Sequence, residues 1–230
     1  MYRQALLFAL AIVPFVVAHG KIAVVTGDLG GNGTGLGVRG AVVPGPGPNY
    51  KTEVDTTVFW SKDITTDDDI GYTDEAGNNQ ISDLEKSMAL SGDTLPQVSS
   101  GGSVKGTFHI VTSDGAGPLE ALVDETATAK WSQAKSADVT TQVPGDDGWI
   151  STSNKRDLMG RMVGGVAKRR NAVNVNKDYP FAIKIPSGTS CSGTVNGLKN
   201  VCLVKVSNNN ENGPFGGVFA VQMPSSDSSK

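Results

Sequence analysis

The residues of this sequence best suited to chemistry are its two histidines, His19 and His109. His19 follows an apolar run from Ala5 to Ala18, which has Arg3 before it and small residues at its end, as is typical of a cleaved secretory signal. Cleavage after Ala18 would make His19 the first residue of the mature chain. Its α-amino group and its imidazole would then offer two nitrogen ligands to a single metal ion.

His109 would supply a third nitrogen. It lies in the predicted strand Val104–Thr112, where alternation places it with Lys105 on the face opposite Phe108 and Ile110. We therefore expect His109 to be accessible at the sheet surface. An amine and two imidazoles form a planar site that suits Cu(II), with tetrahedral Zn(II) as the alternative. The residues alone also allow a simpler interpretation, in which both histidines are ordinary residues without a metal.

Length, composition and charge limit what can surround such a site. The chain has 230 residues with 38% hydrophobic residues, so we expect a signal peptide at 1–18, one domain at 19–224 and a disordered tail at 225–230. The net charge of −3 argues against nucleic acid or an anionic membrane as a partner. No later apolar stretch is long enough to span a bilayer, so we expect a secreted, extracellular monomer.

The elements that must position the histidines are mainly short strands. Turn residues separate them, which predicts an antiparallel β-sandwich of the immunoglobulin or fibronectin type. Helical spacing predicts one short helix at Ile81–Leu90 and a weaker one at Leu158–Ala172, and two long loops are expected at Gly27–Tyr50 and Lys62–Asn79. The predicted strands are Lys21–Thr26, Thr56–Trp60, Val104–Thr112, Leu119–Asp124, Ala137–Gln142, Phe181–Ile185, Val201–Ser207 and Val218–Met223.

Two further predictions follow from an extracellular location. Cys191 and Cys202, the only cysteines, can form a disulfide across a short loop in an oxidising compartment. The sequence Asn32-Gly-Thr34 is an acceptor for N-glycosylation at Asn32.

Several segments, taken together, resemble the Egh-like fungal virulence factor family, whose members are also described as appressorium-specific or MAS proteins. The resemblance implies a secreted protein of filamentous fungi that infect plants or insects, associated with the structures that penetrate the host. The matching segments are Thr94–Gly102, Gly106–His109, Thr112–Pro118, Val139–Pro144, Asn174–Phe181, Lys199–Lys205 and Gly213–Gly217.

Proteins of this family are similar in architecture to lytic polysaccharide monooxygenases, in which an N-terminal histidine and an internal histidine hold copper. This likeness implies a histidine brace at His19 and His109. The C-terminal strand offers Phe219 at the axial position, with Gln222 nearby as a hydrogen-bond donor or acceptor.

Two functions are compatible with this resemblance. The first is copper-dependent oxidation of host or cell-wall polysaccharide, for which Trp60, Trp131 and Trp149 would form a binding platform if they are not packed in the core. The second is a non-catalytic effector, adhesin or copper-binding protein at the host surface. The aromatic content of only 6% favours the second function, whereas the position of His19 favours the first.

Overall fold

The structure is a computed structural model that describes residues 19–40, 54–151 and 172–225. Strands account for most of the regular structure in these residues, and the helical elements are the α-helix α1 (Leu84–Ser91) and 3₁₀ turns at Ile81–Asp83 and Trp131–Gln133. The strands are β1 (Gly20–Gly27), β2 (Gly30–Gly33), β3 (Thr57–Val58), β4 (Tyr72–Thr73), β5 (Gly77–Asn78), β6 (Ser103–Thr112), β7 (Leu119–Asp124), β8 (Lys135–Thr141), β9 (Asn174–Lys184), β10 (Gly193–Val195), β11 (Leu198–Asn208) and β12 (Phe215–Gln222).

The prediction of a mainly β chain with a short helix is confirmed, because each predicted strand overlaps an observed one and Ile81–Leu90 is helical. The strands that the sequence did not predict, β2, β4, β5 and β10, have two to four residues each, too few for a pattern of alternation. Most of the second predicted helix, Leu158–Ala172, lies outside the described residues. So do the signal peptide at 1–18 and residues 226–230 of the predicted tail.

The predicted two-sheet sandwich is wrong, because the strands close into a ring. Seven strands follow one another in the order β11-β7-β8-β9-β6-β1-β12, and β12 pairs again with β11. All these pairs are antiparallel except β1 with β12, which makes the closed barrel a mixed one. Gly216 permits the closure, since a Cβ atom there would lie 2.0 Å from the carbonyl oxygen of Val206 on β11.

Two apolar clusters lie on the two faces of this closed sheet. One cluster contains Phe108, Phe181 and Phe219 and fills the barrel. The second covers part of the outer surface and contains Trp131 and, from α1, Leu84. Burial of each large apolar side chain contributes roughly 1.5–3 kcal/mol, so the two clusters hold the barrel wall from both sides.

The acidic loop predicted at Lys62–Asn79 contains β4 and β5 and is fastened to the outer cluster. The buried ammonium of Lys205 donates to Asp69 Oδ1 at 3.0 Å, and the backbone N–H of Trp131 donates to Asp68 Oδ1 at 2.9 Å. Burial lowers the pKa of Lys205, an effect that the neighbouring carboxylate of Asp69 opposes. Paired charges therefore fix this loop to the barrel.

The predicted disulfide is present between Cys191 and Cys202, and both residues are buried in the cluster that fills the barrel. Asn32 is exposed on β2, where its side-chain oxygen accepts a hydrogen bond from Thr26 at 2.8 Å. Its glycosylation remains a prediction. Within the described ranges, no helix has the length and apolarity needed to cross a membrane.

Candidate metal centre

Pairing of β1 with β6 brings the two histidines to one end of the barrel wall. Lys21 pairs with His109, and His19 lies two residues before Lys21 at the start of β1. This register makes His19 and His109 diagonal neighbours, a relation that typically separates two residues by about 7–8 Å. Because Ile22 and Phe108 pair and both point into the barrel, His109 points outward.

The predicted face of His109 is correct, but its predicted exposure is not, because the side chain is fully buried. Alternation along a strand determines which face a residue occupies and contains no information about what covers that face. Next to His109 on β9 is Asp178, whose Oδ1 lies 2.6 Å from His109 Nδ1. The Asp178 carboxylate itself is 65% exposed.

The carbonyl of His19 is held by a β-bulge in β6. The backbone N–H groups of Val111 and Thr112 both donate to His19 O, at 3.1 and 3.4 Å, so two residues of β6 oppose one of the first strand. The hydroxyl of Thr112 also contacts His19 Nδ1. The bulge thus directs a polar side chain of β6 at the imidazole ring.

Asp114 is the residue of this site that the sequence did not reveal. Its Oδ1 lies 2.5 Å from His19 Nδ1 and accepts the hydroxyl of Thr112 at 2.7 Å, while its Oδ2 accepts from Asn212 Nδ2 at 3.3 Å. The side chain of Asp114 is only 1% exposed. A buried carboxylate with these partners fixes the orientation of the ring. The only signal in the sequence was that Asp114 lies in the family-like segment Thr112–Pro118.

Gly115 allows the Asp114 turn to approach His19 this closely. A Cβ atom on Gly115 would lie 1.4 Å from the carbonyl oxygen of His19, where no atom can be accommodated. The turn and the start of β1 are therefore in direct backbone contact.

A buried ion pair occupies the same face beside His109. The ammonium of Lys21 contacts Asp55 Oδ1, and Asp55 Oδ2 accepts from the backbone N–H groups of Arg39 and Gly40 at 3.3 and 3.4 Å. The lysine charge is thus balanced locally. The carboxylates of Asp114 and Asp178 then remain as the negative charges directly on the two histidines.

The aromatic ring next to His19 belongs to Phe215 and not to Phe219. The ring centroids of His19 and Phe215 are 4.2 Å apart, whereas Phe219 packs inside the barrel. Gln222 lies at the other end of β12, where it accepts from Gln97 at 2.8 Å and donates to the carbonyl of Lys199 at 2.7 Å. Neither the axial role predicted for Phe219 nor the supporting role predicted for Gln222 agrees with these positions.

The three tryptophans predicted to form a binding platform differ in their exposure. Trp131 is buried in the outer cluster and Trp149 is half-buried, so neither offers a free ring face. Only Trp60 of the three is exposed.

Comparison with known proteins identifies the family of the chain. Residues 17–216 match the Egh16-like virulence factor family. The chain belongs to the Egh16-like virulence factor family. It is 37% identical over 215 residues to the appressoria-specific virulence factor GAS1 of Pyricularia oryzae, a match that covers 93% of this chain and 75% of GAS1.

A second relative in the same fungus is the appressoria-specific virulence factor GAS2. It is 35% identical over 127 residues, which are 55% of this chain and 37% of GAS2. No solved structure matches the chain. The part matched by the Egh16-like family includes His19, His109 and Asp114, but it ends before Phe219 and Gln222.

The surroundings of the His19 ring in this Egh16-like protein determine which of its two nitrogens a metal ion could use. The Nε2 atom of His19 is buried without a hydrogen-bond partner among the described residues, so the protein uses only one nitrogen of the ring. A chelate between the ring and the α-amine of the same residue requires Nδ1, which is nearest the backbone. In this structure Nδ1 contacts the Thr112 hydroxyl and Asp114 Oδ1, so a metal ion could join this chelate only if those two contacts opened.

The side chains around His19 do not by themselves form a metal-binding cluster. In residues 19–40, 54–151 and 172–225 no group of three or more His, Cys, Asp or Glu side chains is arranged around one point. The histidine brace predicted from the sequence adds a donor of another kind, the α-amine of His19. Cleavage after Ala18 would release this amine.

Proposed function

We propose that the mature protein is a secreted Egh16-like virulence factor that holds one copper ion at its N-terminus. The α-amine and Nδ1 of His19, the imidazole of His109 and the carboxylate of Asp114 would hold the ion. The single observation that carries the proposal is the carboxylate of Asp114, buried and 2.5 Å from Nδ1 of a residue that signal cleavage would make the first. Nitrogen and oxygen donors in a tetragonal set favour Cu(II) among the first-row ions.

The functional part of the proposal is action at the surface of a plant or insect host during penetration. It is supported by membership of the family and by its relatives GAS1 and GAS2, which are appressoria-specific virulence factors. When bound and reduced, copper would supply activation of O2 or H2O2 for oxidative cleavage of an extracellular polysaccharide. The chain's own residues would bind the ion, and the Phe215 ring would lie tilted beside the His19 ring.

A second candidate, copper binding without turnover, is favoured by a specific observation. Both imidazoles are buried in the full chain, whereas oxidation of an insoluble polymer requires a centre that the polymer can reach. A copper-handling effector has no such requirement.

The decisive experiment compares copper binding by two forms of the protein. One begins at His19, and its matched control retains Ala18 in front of it. We expect the Cu(II) form of the first to show an electron paramagnetic resonance spectrum with several equatorial nitrogens, and the control to lose most of its affinity. Equal affinity of the two would exclude the amine and indicate binding through Nε2, with Asp114 only orienting the ring. Absence of a nitrogen signature would overturn the copper proposal as a whole.

Turnover is tested separately on the copper-loaded mature protein. Incubation with chitin, glucan or pectin and a reductant should give oxidised chain ends that mass spectrometry detects. If copper binds as proposed but no oxidised product forms with any of these polymers, the second candidate replaces the first. The His109→Ala variant serves as the control for reactions of unbound copper.

A further inference from the structure

Among the residues that the structure describes, the most exposed aromatic side chain lies outside the candidate metal centre, on the small antiparallel extension formed by β3, β4 and β5. Trp60 follows β3 and is 72% exposed. Its indole centroid lies 6.3 Å from that of the Tyr72 ring on β4, with an angle of 46° between the two ring planes. Together they form an angled aromatic surface, which we call the Trp60–Tyr72 surface.

Hydrogen bonds fix the backbone that carries Trp60 and the hydroxyl of Tyr72. The backbone N–H of Trp60 donates to Asp69 Oδ2 at 3.4 Å, and the neighbouring Phe59 is buried with its N–H on the carbonyl of Pro214 at 2.9 Å. The hydroxyl of Tyr72 donates to Asp74 Oδ1 at 3.3 Å. The backbone under Trp60 and the ring of Tyr72 therefore have little freedom left to lose when a ligand stacks on this surface, which favours binding.

The charge around this surface differs in sign from that of the rest of the chain. Residues 60–75 contain six carboxylates and one lysine, and the Lys205 ammonium that pairs with Asp69 brings the local formal charge to −4, whereas the whole chain carries −3. The remainder is therefore slightly positive. Asp74 and Glu75 are exposed beside the Tyr72 ring. A polyanion would be repelled here, a neutral polymer would gain nothing from the charge, and a polycation would be attracted.

We propose that the Trp60–Tyr72 surface binds an extracellular polysaccharide that carries free amino groups, such as a deacetylated β-linked N-acetylglucosamine polymer. The C–H face of a sugar ring would stack on the indole, and the ammonium groups would pair with the surrounding carboxylates. A basic peptide is the less favoured occupant, because the free edge at β5 has only two residues and offers no ladder for an added strand.

The Trp60–Tyr72 surface lies near the candidate metal centre without being part of it. Val58 pairs with both Phe215 and Tyr72, so Tyr72 is two strands from the ring that contacts His19. With about 4.8 Å between neighbouring strands, the backbones of Tyr72 and Phe215 lie about 10 Å apart. Binding here requires no metal, so it can be tested independently of copper.

The test measures binding of defined oligomers to the secreted protein by titration calorimetry in a buffer containing EDTA. The probes are a glucosamine hexamer, the fully acetylated hexamer, a galacturonic acid oligomer and a lysine-rich peptide of the same charge as the first probe. We expect the glucosamine hexamer to bind at least about tenfold more tightly than the other three, and its affinity to fall as the salt concentration rises from about 0.05 to 0.5 M.

Substitutions on the Trp60–Tyr72 surface test whether the glucosamine hexamer binds there. We expect Trp60→Ala to weaken binding of the glucosamine hexamer about tenfold and Asp74→Asn with Glu75→Gln to weaken it several-fold. Leu29→Ala is the matched control, since Leu29 is an exposed apolar residue at the other end of β1 and should have no effect. Unchanged affinity of Trp60→Ala, equal binding of the acetylated hexamer, or equal binding of the peptide would each overturn the proposal. None of these outcomes depends on whether copper binds.

Discussion

The two carboxylates that contact the histidines allow a sharp comparison, because one is buried and the other is exposed. Asp114 is 1% exposed and Asp178 is 65% exposed, yet each lies within 2.6 Å of an imidazole Nδ1. Replacing either by asparagine keeps the shape of the side chain and removes its charge. The structure therefore predicts very different costs for two chemically identical substitutions.

Asp114→Asn should destabilise the protein strongly. The carboxylate accepts from Thr112 and Asn212 as well as contacting His19, and an amide group can satisfy only part of this set. Loss of a buried charge-assisted hydrogen bond costs about 1.5–3 kcal/mol, and we expect an effect of that size. Asp178→Asn should cost less than about 1 kcal/mol, because water screens and replaces the exposed contact.

Urea unfolding of the metal-free mature protein measures the loss of stability in both variants. Copper titration of the same samples tests the proposed role of Asp114 in binding the ion. The affinity for Cu(II) should fall at least about tenfold, equivalent to about 1.4 kcal/mol, in Asp114→Asn, because a neutral amide replaces the charged carboxylate among the proposed ligands. Equal destabilisation by the two variants would refute the argument from burial. A stable Asp114→Asn variant with unchanged copper affinity would remove Asp114 from the proposed centre.

Three further predictions concern the fold. Replacing Cys191 and Cys202 by serine opens a loop of sequence separation 11 and should lower the free energy of unfolding by about 3 kcal/mol, measured by urea unfolding; a loss below about 1 kcal/mol would contradict the loop-entropy estimate. Burial lowers the pKa of Lys205, so between its folded and unfolded pKa values the unfolded chain binds more protons, and stability should rise as pH increases through this window. The Lys205→Met variant should lack this rise when denaturant midpoints are compared over a pH series, and an identical pH profile would show that Lys205 is not its source. Gly115→Ala should unfold at a markedly lower temperature than the wild type, because its Cβ atom would overlap His19 O; an unchanged melting temperature in calorimetry would mean that the turn can move away.

The sequence predicts local features of this fold better than long-range ones. Alternation correctly placed Phe108 and Ile110 inside the barrel and His109 outside it, because the period of a strand is a property of neighbouring residues. Closure of the barrel depends on pairing of Lys21 with Gly216, which are almost at opposite ends of the chain. No periodicity reports such a contact, so a sandwich and a closed barrel have the same signature in the sequence.

The candidate site illustrates the same limit. His19 was found from its position after a signal-like segment, which is a chemical argument that needs no three-dimensional information. Asp114 was missed because it lies in a glycine-containing turn, where its partners are set by the approach of β1 and not by spacing along the chain. Phe219 was chosen instead of Phe215 because the sequence does not give the parallel register of β12, which brings its first residues beside His19.

The way β1 begins connects the fold to the proposed chemistry. The end of a chain is usually frayed. Metal-binding groups on a frayed terminus must become ordered before they can bind the metal, and this ordering costs free energy. Here the carbonyl of His19 accepts from Val111 and Thr112, its ring is held by Asp114 and packed at an angle against Phe215, and Gly115 lies directly against its backbone. Residue 19 is therefore fixed before any metal arrives. Cleavage immediately before it would release an amine at a position that the barrel already defines, so the cost of ordering the terminus is met by folding and does not reduce the affinity for copper.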